Sequence, residues 1–337
     1  MIVPMEAQIV EAARVLRAGG LVAFPTETVY GLGADASNAN AVGRIFAVKG
    51  RPASHPLIVH LHHAAQIQHW AREIPDAAHE LAARFWPGPL TLVLKRAPAV
   101  LDAVTGGQDS IGLRVPSHAV AQALLRAFDG GIAAPSANRF GRVSATTAQH
   151  VRDELGEGVD LVLDGGACAV GIESTILDLS TGAPVLLRPG CITLEELSAC
   201  LHAPVARSGA GAPRAPGGLP AHYAPQLPLY LVPRSALDAV VREEAIRGPV
   251  AVLARHARPA ASAAAVWMIA PPDAPGYAHH LYAALRQLDR SGCTRILVEA
   301  PPETPDWFAV QDRLTRAVAG SGSAQQPSAR IGVADAT

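Results

Sequence analysis

The chain has 337 residues, 49% of them hydrophobic and only 4% aromatic, enough apolar material for about two domains whose cores must be built from Ala, Val, Leu and Ile. That composition favours layered α/β packing over an aromatic-rich β fold. Lys plus Arg total 28 against 29 Asp plus Glu, which excludes a global charge excess for drawing the chain onto nucleic acid or membrane, so any polyanion must be met by a local cluster.

From Gln8 to Ala18 apolar residues recur at helical spacing, and Gly19-Gly20 supplies a stop. “LVAFPTE” then reads as a strand, “AVGRIFAVKG” as a helix ending at Gly50, “PLIVHL” as a strand, “DAAHELAARFW” as a helix and “LTLVLKR” as a strand. “IGLRVP”, “GGIAAPSAN”, “LVLDGG”, “STILDLS” and “PVLLRPG” read as further short strands ending in turn residues. Residues 1–206 are thus expected to form an α/β domain on a twisted mixed sheet with helices on its faces. Residues 207–228, “RSGAGAPRAPGGLPAHYAPQLP”, are dominated by Gly, Ala and Pro and read as a linker. Strands and helices in “PLYLVP”, “SALDAVVREEAIRG”, “VAVLAR”, “AVWMIA”, “YAHHLYAALRQLDRSG”, “RILVEA” and “WFAVQDRLTRAVAG” then predict a small parallel doubly wound domain over 229–320, with a flexible tail over 321–337. “LYLVPRSALDAV” has no Gly-rich turn of the dinucleotide-binding type, so a structural or regulatory role is expected of this second domain.

Cys168, Cys191, Cys200 and Cys293 lie far apart with no C-x-x-C pair, which indicates neither a disulfide framework nor a zinc knuckle. The 13 histidines include no H-E-x-x-H, so no metal site is expected of the protein alone. “MIVPMEAQIVEAARVL” lacks a signal-peptide pattern and no apolar stretch is long enough to span a bilayer, from which a soluble cytoplasmic protein is expected.

In α/β proteins ligands gather at strand carboxyl ends, and there the first domain is unusually polar. Thr26, Glu27 and Thr28 follow the first strand; Arg51 follows “AVKG”; Ser136, Asn138 and Ser144 follow “GGIAAP”; Ser174 and Arg188 lie in “GIESTI” and “LLRPG”. Lys49 and Lys95 are the only lysines in an arginine-rich chain, and Lys49-Gly50-Arg51-Pro52 puts two cations around a glycine at a helix end. Such a pair offsets a helix dipole or clamps a phosphate. No G-x-x-x-x-G-K-[ST] occurs, so a triphosphate would be held mainly by side chains. Arg114, flanked by Leu113 and Val115, requires an anion if its strand is covered, either an internal carboxylate or that of a small substrate.

“PTETVYGLG”, “KGRP”, “HPLIVH”, “LRVPSH”, “APSANRFGRVSATT”, “GIESTILDL” and “LLRPG”, in this order, closely resemble the Sua5/YrdC family of L-threonylcarbamoyladenylate synthases, and “HYAP” with the following α/β domain resembles its longer, Sua5-type members. The resemblance spans about Val10 to Ala319. It implies a YrdC-like twisted mixed sheet enclosing a large positive cavity, followed by a smaller Rossmann-like parallel α/β domain. It implies the reaction of ATP, L-threonine and bicarbonate to threonylcarbamoyladenylate and pyrophosphate, for the modification of adenosine 37 in tRNA, with Mg2+ accompanying ATP. Threonine is then expected on Thr28, His60, Arg114, Ser174 and the backbone of Ala134. ATP is expected on Lys49, Arg51, His55, Ser110, Ser136, Asn138, Ser144, Arg188 and Tyr223, with Lys49 and Arg51 as the catalytic cations. The Gly/Pro-rich linker is expected to close over the site. Gly31 and Gly33 are expected to let the backbone turn beneath threonine, while Glu27 either orients a cation or helps deprotonate the threonine amine. The product would pass to the tRNA threonylcarbamoyl-transfer machinery, and a weak RNA contact is the remaining partner expectation. Two competing readings are a carbamoyltransferase using carbamoyl phosphate and a non-enzymatic RNA-binding module.

Overall fold

The structure, a computed structural model, describes residues 4–209 and 211–322; the tail expected over 321–337 lies, from residue 323 on, outside the described residues. Two compact units are present, one formed by the chain through Phe140 together with Ser144–Leu219, the other by Gly141–Val143 and the chain from Pro220 onward.

The first unit is built on one mixed sheet: β1 (Val22–Phe24), β2 (Gly31–Asp35), β3 (Ile58–His60), β4 (Leu90–Lys95), β5 (Ser110–Arg114), β6 (Ile132–Ala133), β7 (Leu161–Val162), β8 (Thr175–Asp178), β9 (Val185–Arg188) and β10 (Ala206–Arg207). Their spatial order is β10-β9-β8-β4-β5-β3-β6-β2-β1-β7. Strands β3 and β5 run parallel, as do β4 and β8, whereas β4 and β5 are antiparallel. The strand expected over “LVAFPTE” stops at Phe24 because Pro25 has no N–H to donate to a ladder.

“GLG” departs from expectation. Gly31 and Gly33 do not make a turn but begin strand β2, which pairs antiparallel with β1 through Val22 and Gly33. The reason for glycine is space: a Cβ on Gly33 would stand 2.8 Å from Ile132 Cγ2 and 2.8 Å from the Phe24 ring. Gly33→Ala is therefore expected to cost about 1–3 kcal/mol by overpacking. Denaturant unfolding checks this, and an unchanged midpoint would contradict the fit.

Helices stand at Ala119–Phe128, Ala148–Leu155 and Leu194–Leu201 where no element is expected. Their signals are present in hindsight. Ala121, Leu124, Leu125 and Phe128 repeat at helical spacing and pack on Ile9, Ala12, Ala13 and Leu16 of the Met5–Arg17 helix. Thr193 and Glu196 form a capping box, with the Thr193 N–H donating to Glu196 Oε2 at 2.8 Å and the Glu196 N–H to Thr193 Oγ1 at 3.2 Å.

In the second unit β11 (Leu229–Val232), β12 (Val250–Ala254), β13 (Val266–Ile269) and β14 (Arg295–Glu299) form a wholly parallel sheet of order β11-β14-β12-β13, as the sequence predicts. Leu237, Val240 and Val241 of the Leu237–Ala245 helix pack on Val250, Val252 and Leu297, which is why these strands read as continuous apolar runs. No helix among the described residues is long and apolar enough to cross a membrane.

Candidate active site

In a mixed sheet the carboxyl ends of antiparallel neighbours lie on opposite edges, so strand ends alone do not assemble a site. Residues 26–30 do the assembling. The Ala137 N–H donates to Tyr30 O at 2.7 Å, the Tyr30 N–H to Ala145 O at 2.8 Å, and the Val170 and Gly171 N–H groups to Glu27 O and Thr28 O at 2.7 and 3.1 Å. The segment after β1 thus holds together the loops that carry Ser136, Ser144 and Ser174.

At its centre lies Arg114, the last residue of β5 and 3% exposed. Its Nε donates to Gly88 O at 3.2 Å and its Nη1 to Thr28 Oγ1 at 2.9 Å, while Nη2 stands 2.8 Å from Glu27 Oε1. One anion beside Arg114 is therefore internal, the carboxylate of Glu27. Glu27 Oε2 accepts from the Ser117 N–H at 3.1 Å, which orients the carboxylate. Oε1 and Nη2 touch off-axis, so neither obtains an aligned hydrogen bond from the pair. Burial opposes ionisation of Glu27, but the positive charge of Arg114, with the Ser117 N–H beside it, prevails and holds its carboxyl below the usual range. Of the two roles open for Glu27, the structure places it on the cation.

His60 ends β3 in register with Arg114 and is 3% exposed. Burial first, and the neighbouring guanidinium second, push its pKa down to about 3, so the imidazole is neutral. Thr26 and Thr28 share a hydroxyl contact of 2.8 Å, and Thr26 also donates to Val29 O at 2.7 Å, which fixes the polar turn. The Ala134 N–H is engaged by Ile58 O at 2.9 Å.

Lys49 ends the Ala39–Lys49 helix, where Gly50 adopts φ 62° and turns the chain toward Arg51. The ammonium is not at a solvated helix end, however. It is 3% exposed and donates to Ser136 O at 2.6 Å and to Asn138 O, so it reads the backbone of the loop whose side chains are the nucleotide candidates. Burial, and then the charge of Arg51, lower its pKa to about 7. Arg51 donates to Pro56 O at 2.9 Å with its guanidinium 5.6 Å from the Phe140 ring, against which His55 also packs edge-on at 5.3 Å. Burial, Arg51 and Arg214 keep His55 below the ordinary histidine range.

Arg188, closing β9, donates from Nε and Nη2 to Ser174 O at 3.0 and 2.9 Å, from Nη2 to Ser174 Oγ at 3.1 Å, and from Nη1 to Pro216 O at 3.0 Å. Ser174 Oγ is also 2.8 Å from Thr91 Oγ1. Ser144 donates to Glu173 Oε1 at 2.5 Å. Thr91 and Glu173 are polar partners not singled out in the sequence; Glu173 was findable as the one carboxylate beside Ser174, whereas Thr91 lies inside an apolar strand. Ser110 begins β5 opposite Lys95 and is buried. Tyr223 belongs to the second unit, at φ 60°, with its ring 5.8 Å from Tyr282 and 5.1 Å from the Arg313 guanidinium.

A family model described as “Telomere recombination”, for Sua5/YciO/YrdC proteins, matches residues 14–190, and one described as “Threonylcarbamoyl-AMP synthase, C-terminal domain” matches residues 192–319. The chain is 41% identical to the threonylcarbamoyl-AMP synthase of Pyrococcus abyssi over 91% of its own length and 92% of the relative's. It is 39% identical to the synthase of Bacillus subtilis, with 93% of each chain covered. The crystal structure of P. abyssi Sua5 complexed with L-threonine superposes with a TM-score of 0.88 at 39% identity, covering 94% of this chain and 95% of that one. Fold, order of domains and both family models agree: the chain belongs to the Sua5/YciO/YrdC family, in the two-domain form that carries the Sua5 C-terminal domain.

Proposed function

We propose that the protein is an L-threonylcarbamoyladenylate synthase, joining L-threonine, bicarbonate and ATP with release of pyrophosphate, and that its product serves the threonylcarbamoyl modification of tRNA adenosine 37. The observation that carries this reading is the similarity to named synthases along more than nine-tenths of the chain, at 41% and 39% identity. Buried cations supply the chemistry it needs. Threonine's carboxylate would meet Arg114, with Thr28 alongside and neutral His60 able to exchange a hydrogen bond with the hydroxyl. The threonine amine and bicarbonate form a carbamate with loss of water. A carbamate oxygen then attacks the α-phosphorus and pyrophosphate leaves, its charge met by Lys49, Arg51 and Arg188, with Ser136, Asn138 and Ser144 as neutral donors. No enzyme nucleophile is needed, so catalysis is positioning and charge stabilisation.

Among the described residues no three His, Cys, Asp or Glu groups are placed to hold a metal ion. A Mg2+ would arrive on the triphosphate and take most of its ligands from phosphates and water. When bound it would neutralise charge on the departing pyrophosphate.

Incubation of the full chain with ATP, L-threonine and labelled bicarbonate is expected to give pyrophosphate and a labelled adenylate in equal amounts. Absence of the adenylate under these conditions would overturn the assignment, and label taken instead from carbamoyl phosphate would identify carbamoyl transfer.

A further inference from the structure

The second unit carries a polar cluster that the proposed reaction does not use. All four strands of its sheet are parallel, so their carboxyl ends share one edge. From the adjacent pair β12 and β14 the chain leaves in opposite directions, to β13 on one side and to the Phe308–Gly320 helix, packed on β11, on the other. Such a divergence opens a crevice at the strand ends where doubly wound sheets hold ligands.

Charged and aromatic groups gather there. Glu299, the last residue of β14, is fully buried and accepts from the Arg255 N–H at 2.7 Å and from Arg255 Nη2 at 2.8 Å, with His256 Nδ1 at 3.0 Å. The Arg255 guanidinium lies 5.3 Å from the Trp307 ring, and the ring of Tyr277, in the first turn of the Ala274–Asp289 helix, meets the same Trp307 at 5.3 Å. Trp267 donates from its indole nitrogen to His256 O at 3.0 Å and places its ring 5.3 Å from the imidazole. The arrangement is built rather than solvated: Tyr277 is 1% and Trp307 4% exposed, while the side chains of Arg255 and His256 keep 18% and 22%, giving the cluster an outward face.

Two donors in this cluster have no hydrogen-bond partner among the described residues, the Nε–H of Arg255 and the hydroxyl of Tyr277. Both Arg255 and Glu299 act electrostatically on that hydroxyl, and burial pushes its ionisation well above the ordinary range, so it stays a donor. Native structures rarely leave buried donors unmet. The carboxylate of Glu299 already accepts from three donors, and neither the Nε–H nor the hydroxyl makes a hydrogen bond to it. What the site lacks is an acceptor.

We infer that the carboxyl edge of the second unit's sheet, between Arg255 and Tyr277, is a binding site for an oxyanion, either free phosphate or the phosphate or carboxylate of a small metabolite. Arg255 Nε and the Tyr277 hydroxyl are its donors, Glu299 holds the guanidinium in place, and Trp307, which packs against both donor side chains, forms its wall. The sequence expectation against a nucleotide site concerned the turn after β11; the cluster lies after β12 and β14 and needs no glycine-rich turn.

The chain has four tryptophans, and one of them, Trp307, packs against both Arg255 and Tyr277. With 5-fluorotryptophan in the full-length protein, 19F NMR is expected to show a saturable shift of the Trp307 resonance, and not of those of Trp70 and Trp86, on titration with inorganic phosphate, AMP or acetate. Whichever probe saturates first identifies the source of the oxyanion. Tyr277→Phe keeps the ring and removes one donor, and should weaken that probe about tenfold, the worth of one hydrogen bond to a charged group. Arg255→Lys keeps a cation opposite Glu299 but loses the Nε–H, and should weaken it likewise. No saturable shift with any probe at millimolar concentration would overturn the inference. So would equal affinity in wild type and Tyr277→Phe, the result expected if the two donors meet a bridging water only.

Discussion

Arg114→Ala is expected to lose threonine affinity by about a hundredfold or more, the equivalent of roughly 3 kcal/mol for leaving a buried carboxylate without its cation. The structure adds a second consequence. Removing the guanidinium also strands Glu27, which is 7% exposed and has Arg114 as its only ion-pair partner among the described residues. The single variant should therefore be destabilised as well as defective, by about 3–5 kcal/mol when a buried pair is broken from one side. Arg114→Ala combined with Glu27→Gln separates the two effects: stability should largely return while threonine affinity does not. Calorimetry with threonine and denaturant unfolding measure the two quantities independently. Unchanged threonine affinity in Arg114→Ala would refute the assignment, and failure of Glu27→Gln to restore stability would refute the pairing.

The pair also has an acid signature. Because Arg114 holds the folded pKa of Glu27 below its unfolded value, the stability it contributes is complete above the unfolded carboxyl's pKa, roughly 4.3. It is lost as pH falls through the lower folded value. The double variant should lack this share of the acid loss.

Lys49→Met is expected to reduce turnover by about two to three orders of magnitude, the effect of deleting one preorganised stabilising group. Its pH dependence is more specific. In the free protein burial and Arg51 bring Lys49 to about pKa 7. A bound triphosphate supplies negative charge beside it and raises that value. Below pH 7 the ammonium is already present and ATP binds without change in protonation; above it, binding must draw a proton from solution. ATP affinity is therefore expected to fall as pH rises from 7, by up to about tenfold per unit until the raised pKa of the complex is reached. Calorimetry in buffers of different ionisation enthalpy should detect proton uptake at pH 8, and Lys49→Met should abolish it. Proton release, or uptake of the same size in the variant, would show that another group is titrating.

How much of this was legible varies by element. The order of strands and helices in the second unit is written in alternating apolar runs and helical periods, because parallel strands covered on both faces need continuous hydrophobicity. The stop after Phe24 is written in Pro25, and the turn at Gly50 in a glycine between two cations. The Ala119–Phe128 helix was equally legible from Leu124, Leu125 and Phe128, and Thr193 with Glu196 announced the start of the Leu194–Leu201 helix. These are local facts, decided within a turn or two of chain.

Pairings between distant residues are of another kind. The sequence demanded an anion for Arg114 but offered 29 carboxylates. The choice of Glu27 follows from the loop at 26–30 folding back onto the end of β5, where Thr28 meets Arg114 and Glu27 meets the Ser117 N–H. Gly31 and Gly33 looked like turn residues, yet they are strand residues whose missing side chains admit Phe24 and Ile132, a requirement set by neighbours about ten and one hundred positions away. Arg255 and Glu299 likewise meet only because β14 inserts between β11 and β12. Local propensity and periodicity act through the chain and can be read along it. Which charges neutralise one another depends on distances through space, and those exist only once the sheet has closed.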